Sequence, residues 1–288
     1  MSTSAILFGA GGNVGKAVLP ALLEAGVNVT VATRQDSKST FPGSVKVVTT
    51  NYESVEDLTS IIRGNDAVIS LVNTAALSKE LLLVDAAAAA GASLFIPSQF
   101  GHDTSDDRIA PLLPIFGKKQ QTVARLKEKE KDGLTWTAII TALFFDWGLN
   151  FGTFDVDLKK GKATIWDGGE TRFSASNMED IALAVVRLVT DPVTREKYKN
   201  QHVYVSSVQM TQKELVAAAE AVTGKTFDIT EYDSDVAFRE GSPIKVLQAI
   251  QFSGKGLADF QAKVDAGKGR FIVDKREDVR TVLKGLAV

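Results

Sequence analysis

Compact apolar runs alternate with amphipathic stretches along the first half of the chain. Ala5-Ile6-Leu7-Phe8 is one such run, and Val18, Leu19, Leu22 and Leu23 then recur at helical spacing up to Gly26. The first pattern predicts a strand and the second a helix, with Gly26 where a C-terminal cap belongs. Pro20 falls inside that helix, where it removes a hydrogen bond and crowds the carbonyl of Lys16, so a bend is expected. Residues 27–32 alternate as a strand, and residues 45–48 form a short third one. Ser54-Val55-Glu56-Asp57 opens a helix with a capping serine and acids in its first turn. Residues 66–72 are almost wholly apolar after Asp66, as befits a strand buried on both faces. The Ala- and Leu-rich residues 75–90 predict a helix closed by Gly91, and residues 93–97 a strand ended by Pro97. A helix over 117–132 and a strand over 135–140 follow.

Strand and helix therefore alternate from residue 5 to residue 140. That order predicts an α/β fold, a doubly wound parallel sheet of the Rossmann type covered by helices on both faces. Ligand would sit beyond the carboxyl ends of the strands, where Gly12, Ser70 and Ser98 gather. The second half is less regular. Ile165-Trp166-Asp167-Gly168-Gly169 reads as a strand entering a turn, Asn177 caps a helix to about residue 189, and residues 201–206 form a strand. Thr211-Gln212-Lys213-Glu214 is a capping box before a helix closed by Gly224. The expected division is a dinucleotide-binding domain over 1–150 and, over 151–288, a smaller substrate lobe with some elements returning to the first domain.

The chemistry concentrates in the first turn. Gly9-Ala10-Gly11-Gly12-Asn13-Val14-Gly15 lies between strand and helix and reads G-x-x-G-x-x-G. Gly9 suits a tight turn, Gly12 lets backbone approach a pyrophosphate, and Gly15 allows close packing of the helix. The exposed N–H groups and the helix dipole favour an anion there, so Gly9, Gly11, Gly12, Asn13, Val14 and Gly15 are candidate cofactor ligands. A loop that merely contains three glycines is the plain alternative. At the end of the second strand stand Thr33 and Arg34, with Lys38 close behind, where an NAD-binding chain usually places an acid. A cation there suits the 2′-phosphate of NADPH; a solvated loop arginine is the other reading.

Composition narrows the chemistry by exclusion. The 288 residues are 44% hydrophobic and 24% charged with a formal charge of −2, which gives no general attraction to nucleic acid or to an anionic membrane. No segment approaches the ~20 apolar residues of a membrane span, and the chain enters its first strand without a charged lead, so a cytoplasmic protein is expected. Zero cysteines remove disulfides, thiol nucleophiles and thiolate metal sites. The two histidines are His102, in a loop without a nucleophile-elbow sequence, and His202, inside a strand pattern. They support neither a Ser-His-Asp site nor a zinc site. None of Tyr52, Tyr198, Tyr204 and Tyr232 has a lysine four residues later, which excludes the Tyr-x-x-x-Lys mechanism. What remains is Gly117-Lys118-Lys119 at the expected start of a helix. A desolvated lysine there would have a lowered pKa and could donate a proton, unless it is simply solvated. The run Lys127-Glu128-Lys129-Glu130-Lys131 reads as a solvated face.

Several stretches together resemble the isoflavone reductase-like and NmrA-like branch of the atypical short-chain dehydrogenases, the fungal members above all. They are the glycine turn, Arg34, Ile96-Pro97-Ser98-Gln99-Phe100-Gly101, Lys119-Gln120-Gln121-Thr122-Val123, Phe144-Phe145-Asp146-Trp147 and Ile165-Trp166-Asp167-Gly168-Gly169. The resemblance implies a Rossmann domain, NADPH, a small C-terminal lobe and a lysine near the nicotinamide, for which Lys119 fits the register better than Lys118. Gln99 stands where the family usually has glutamate, Glu80 where glutamine is common, and Asn51 where an acid is frequent. Phe144, Phe145, Trp147 and Phe151 would line an aromatic pocket or fill plain core. The implied function is NADPH-dependent reduction of a small aromatic or unsaturated carbonyl compound of secondary metabolism, by a monomer or homodimer. The alternatives are an NADP(H) sensor without turnover and an isomerase or cyclase that makes little use of the cofactor.

Overall fold

A computed structural model describes residues 3–286. Its first elements are β1 (Ser4–Phe8), α1 (Asn13–Glu24), β2 (Asn28–Thr33), β3 (Lys46–Thr49), α2 (Val55–Ile62) and β4 (Ala67–Ser70). Then come α3 (Glu80–Ala90), β5 (Leu94–Ile96), α4 (Pro114–Lys129), β6 (Thr135–Ile140) and α5 (Phe145–Asn150). The second half holds β7 (Val156–Asp157), β8 (Lys162–Trp166), β9 (Phe173–Ala175), α6 (Met178–Thr190), α7 (Pro192–Tyr198) and β10 (Gln201–Ser206). It closes with β11 (Val208–Met210), α8 (Gln212–Thr223), β12 (Asp228–Tyr232), α9 (Ser234–Glu240), α10 (Pro243–Phe252), α11 (Phe260–Asp265), β13 (Phe271–Asp274) and α12 (Val279–Leu286).

Among the described residues the central sheet has eight strands in the order β13-β10-β6-β5-β4-β1-β2-β3. β1 lies parallel between β2 and β4, with Ala5 level with Val29 and Ala67. The run from β3 through β6 is the doubly wound Rossmann order, and it puts the topological switch point between β1 and β4. Ala5, Ile6, Leu7 and Phe8 are all fully buried, so both faces of β1 are covered and the strand reads as one apolar run. Burying Ile6, Leu7 or Phe8 stabilises the fold by roughly 1.5–3 kcal/mol each. On one face Ile6, Phe8, Val68 and Phe95 pack with Leu58, Leu83, Ala87, Val123 and Leu126 of α2, α3 and α4. α1 continues through Pro20, which lies on its exposed side, where water can reach the carbonyl left without its partner.

The chain forms two units. One comprises the chain up to Gln99, Pro114–Ile139 and Ile181–Val203; the other comprises Phe100–Leu113, Ile140–Asp180 and the chain from Tyr204 onward. The units interleave in sequence. The return of α6 and α7 to the first unit has a local cause. Thr137 Oγ1 donates to the Tyr198 carbonyl at 2.8 Å, the Trp136 amide to Asn200 at 3.1 Å, and Arg195 to Ser93 Oγ at 3.3 Å. In the second unit β8 pairs antiparallel with β7 and parallel with β12, and β9 pairs antiparallel with β11. Phe145, Phe154, Trp166, Phe173 and Phe252 centre its core. The capping box of α8 is complete: Thr211 Oγ1 accepts from the Glu214 amide at 3.1 Å, and Glu214 accepts from the Thr211 amide at 2.8 Å.

Candidate active site

The glycine turn after β1 is built as its spacing requires. Gly9 has φ +86°, and a Cβ there would come within 2.4 Å of the Leu71 carbonyl oxygen. The Gly12 amide closes the turn on the Gly9 carbonyl at 3.0 Å. At Gly15 a Cβ would lie 2.3 Å from the Ala10 carbonyl oxygen, so this glycine lets α1 press against the turn itself. A Cβ on Gly11 would meet the Ser39 hydroxyl at 2.3 Å, and one on Gly12 would meet only the Gly9 carbonyl, at 3.3 Å. Gly12 caps α1 without a side-chain hydrogen bond, which leaves the first N–H groups of the helix to an anion.

These residues open into a cavity of about 430 Å³ at the switch point. Gly9–Gly12, Ala32–Arg34, Ser37, Ser39, Phe41, Asn51, Tyr52, Leu71–Asn73, Ala75, Ala76 and Lys79 line it. Arg34 also borders a neighbouring cavity of about 600 Å³ with Gln35, Asp36, Thr49–Asn51, Asp57, Ser60 and Ile61. A cavity lined by the glycine turn that precedes α1 and by Arg34 offers the donor types a dinucleotide needs. Arg34 is exposed, with Nε 3.7 Å from Asp36, a weak surface pair that yields readily to a phosphate.

Not every sequence candidate lines this cavity. Asn13 and Val14 form the first turn of α1 outside it, and Lys38 is exposed between the lining residues Ser37 and Ser39. Ser70 and Ser98 are buried; the Ser98 hydroxyl donates to the Val72 carbonyl at 2.8 Å. Conversely, the pattern missed Asn73, Tyr52 and Lys79. Asn73 caps the turn after β4, accepting from the Ala76 amide at 3.3 Å. Tyr52 sits at φ +60° with its ring edge-on to Phe8, and burial pushes its hydroxyl up to about 12. Lys79 Nζ donates to the Asn51 carbonyl at 3.3 Å. A polar residue directly after an apolar strand was the available signal for Asn73. The other two depend on long-range packing.

Lys119 lies in the second turn of α4, not at its start, because the helix begins at Pro114, a residue pre-set for a first helical position. Lys119 is buried and Lys118 exposed. The Lys119 amine donates to the Gln99 carbonyl at 3.0 Å, and the Gln99 side-chain amide donates back to the Lys119 carbonyl at 2.9 Å. Loop and helix are clasped at this point. Burial lowers the Lys119 amine to about 8, against the pull of the Glu80 carboxylate. Glu80, also fully buried, accepts from the Ser98 amide at 2.7 Å and the Thr122 hydroxyl at 3.1 Å. Burial drives its carboxyl up, opposed by nearby Ser70, by those two donors and by Lys119.

His202 meets Trp136 edge-on at 5.7 Å, and His102 is buried in the loop after β5. Phe145 is core, whereas Trp147 stacks on Phe151 at 4.4 Å and Phe151 is largely exposed. No helix among the described residues is long and apolar enough to cross a membrane.

The strand order and the glycine turn at the switch point define a Rossmann-type dinucleotide-binding fold. The chain belongs to the NmrA-like family, whose model matches residues 1–278. It is 35% identical to an oxidoreductase of Aspergillus flavus, aprR, over 82% of this chain and 79% of that one. It is 25% identical to isoeugenol synthase 1 of Clarkia breweri, over 90% and 87%. Among solved structures it resembles the leucoanthocyanidin reductase–NADPH complex of Vitis vinifera, with a TM-score of 0.79, 21% identity and 99% of each chain covered. AtPrR2 with NADP+ and (+)-pinoresinol superposes at a TM-score of 0.75 with 22% identity, over 100% of this chain and 99% of that one.

Proposed function

We propose that this protein is an NADPH-dependent reductase of a small aromatic or unsaturated carbonyl compound, with Lys119 as its acid–base group. The observation that carries the reading is the Lys119 amine, buried, clasped by Gln99 and lowered to about 8. An amine with that midpoint gives and takes a proton near neutral pH, which a solvated lysine does poorly. The relative named an oxidoreductase and the NADPH and NADP+ complexes of the structural neighbours support the same class. NADPH held by the cavity would supply the hydride. Gly9, Gly11 and Gly12 would cradle its diphosphate against the first amides of α1, and Arg34 would pair with the 2′-phosphate. Lys119 would hold the substrate oxygen and deliver the proton that balances the transfer.

The test is NADPH oxidation across a panel of aromatic enones and ketones, beside fluorescence titration of NADPH and NADH. Tighter binding of NADPH and turnover of at least one panel member are expected. Tight binding with no turnover across the panel would replace the reductase by a dinucleotide sensor. Gly12→Val places a side chain where the diphosphate would lie and should abolish binding of both cofactors while circular dichroism stays unchanged. Retained binding would move the site elsewhere.

A further inference from the structure

Glu80 is a fully buried carboxyl group that the proposed chemistry does not use. It opens α3, where the helix dipole favours a negative charge. Its two oxygens reach different elements. Oε1 accepts from the amide of Ser98, the residue before Gln99, whose carbonyl holds the Lys119 amine. Oε2 accepts from the hydroxyl of Thr122, one turn beyond Lys119 on α4. Glu80 is therefore fixed by the same loop and helix that clasp Lys119. The other charged groups on the α3–α4 face are satisfied elsewhere. Arg125 pairs with both oxygens of Asp85 and with Glu128, and Lys129 with Asp85 and Asp132. Lys79, just before Glu80, reaches Asn51 and Glu53, and Lys118 is exposed.

We propose that Glu80 is a positioning residue for Lys119: anchored to the loop and the helix that hold the lysine, its carboxylate is the built-in counter-charge of that amine, and the two titrate as one buried pair. A charge this deep needs a partner, and Ser98 and Thr122 hold the carboxylate against the same loop and helix that hold the amine. With the amine on a carbonyl and the carboxylate on neutral donors, the charge of Glu80 adjusts the proton affinity of Lys119 through space. The assignment rests on Lys119 being the acid–base group only for its consequence in catalysis; the pairing itself is a property of the free protein.

Glu80→Gln separates charge from shape. Its amide oxygen would still accept from Ser98, and its NH₂ would donate to the Thr122 hydroxyl, which can turn toward the Lys118 carbonyl it already approaches at 3.4 Å. The measurement is a pH titration by carbon NMR of protein labelled at lysine Cε and glutamate Cδ, without cofactor, with Lys119→Met assigning the lysine signal. The wild-type amine should titrate near 8. In E80Q its midpoint should fall by about one unit or more, the scale of a close opposite charge removed. In K119M the Glu80 carboxyl midpoint should rise. The limb of the NADPH-oxidation pH profile assigned to Lys119 should move with the amine in E80Q. An unchanged lysine midpoint in folded E80Q would overturn the pairing, and so would an unchanged carboxyl midpoint in K119M if E80Q fails to fold. If both midpoints move but K119M turns over normally, the pair stands and the catalytic reading of Lys119 falls.

Discussion

The protein buries two lysines to the same degree, Lys119 in one unit and Lys263 in the other, each 7% exposed, and treats them in opposite ways. Lys263 touches its counter-charges, with Nζ 2.7 Å from Asp103 and 3.3 Å from Asp106. Asp103 also accepts from the Ser105 hydroxyl at 2.5 Å and the Tyr204 hydroxyl at 2.8 Å. Burial alone would raise the Asp103 carboxyl, but Lys263 and these donors outweigh it and hold the group below its usual value. Burial and the Asp103 charge together push the Tyr204 hydroxyl up. Lys119 instead bonds to a backbone carbonyl, and its carboxylate acts from a distance. Direct contact turns a buried lysine into a structural pin, whereas separation leaves it able to exchange a proton near neutral pH.

The largest difference between the two lysines is expected in activity. Lys119→Ala should lower turnover by about 10²–10⁴-fold with little change in NADPH affinity, the usual reach of general acid–base catalysis. Steady-state rates beside a binding titration check this, and a loss of binding instead would make Lys119 another pin. Lys263→Met should cost about 3–5 kcal/mol of stability in urea unfolding, because Asp103 would be left buried without its counter-charge. If the loss is within experimental error, the cluster holds nothing together. Arg34→Ala offers an exposed cation as a third case. It should weaken NADPH binding by roughly 1.5–3 kcal/mol and leave NADH unchanged, as a charge-assisted hydrogen bond would. Equal losses for both cofactors would remove its pairing with the 2′-phosphate.

The pH dependence of stability separates the two sites by the window in which each acts, since both slopes are positive. Asp103 has its folded value depressed, so its contribution is present above the unfolded value of 3.8 and is lost as pH falls through the lower folded one. The Lys119 amine is lowered from 10.5 to about 8, so between those values the unfolded chain binds more protons and stability rises with pH. Chemical unfolding across pH should show Asp103→Asn flattening the acid limb and Lys119→Met flattening the alkaline one. The smallest effect belongs to Lys118→Ala, which should leave both turnover and stability close to wild type, since the side chain is exposed. Inactivity of that variant would shift the functional lysine by one position.

Local rules settled much of this protein before any tertiary contact is considered. Apolar runs buried on both faces mark parallel strands, and a glycine turn between strand and helix marks the phosphate end of the sheet. Positions where a Cβ would strike backbone, as at Gly9 and Gly15, are legible because glycine alone fits them. The capping box at Thr211 and Glu214 and the cap at Gly224, with φ +68°, are equally local. The start of α4 at Pro114 is a local signal too, weaker than the helical pattern of the charged run beyond it. Other features follow from no neighbouring residues. Which of two adjacent lysines is buried depends on how α4 lies against the loop after β5. Glu80 reads as an isolated departure until folding brings Ser98 and Thr122 to its two oxygens. The pairing of Asp103 with Lys263, 160 residues apart, also lies beyond sequence spacing. A pattern of apolar and polar positions records which side of an element faces inward, while the proton affinity of a buried group depends on the dielectric and charges that distant segments bring to it.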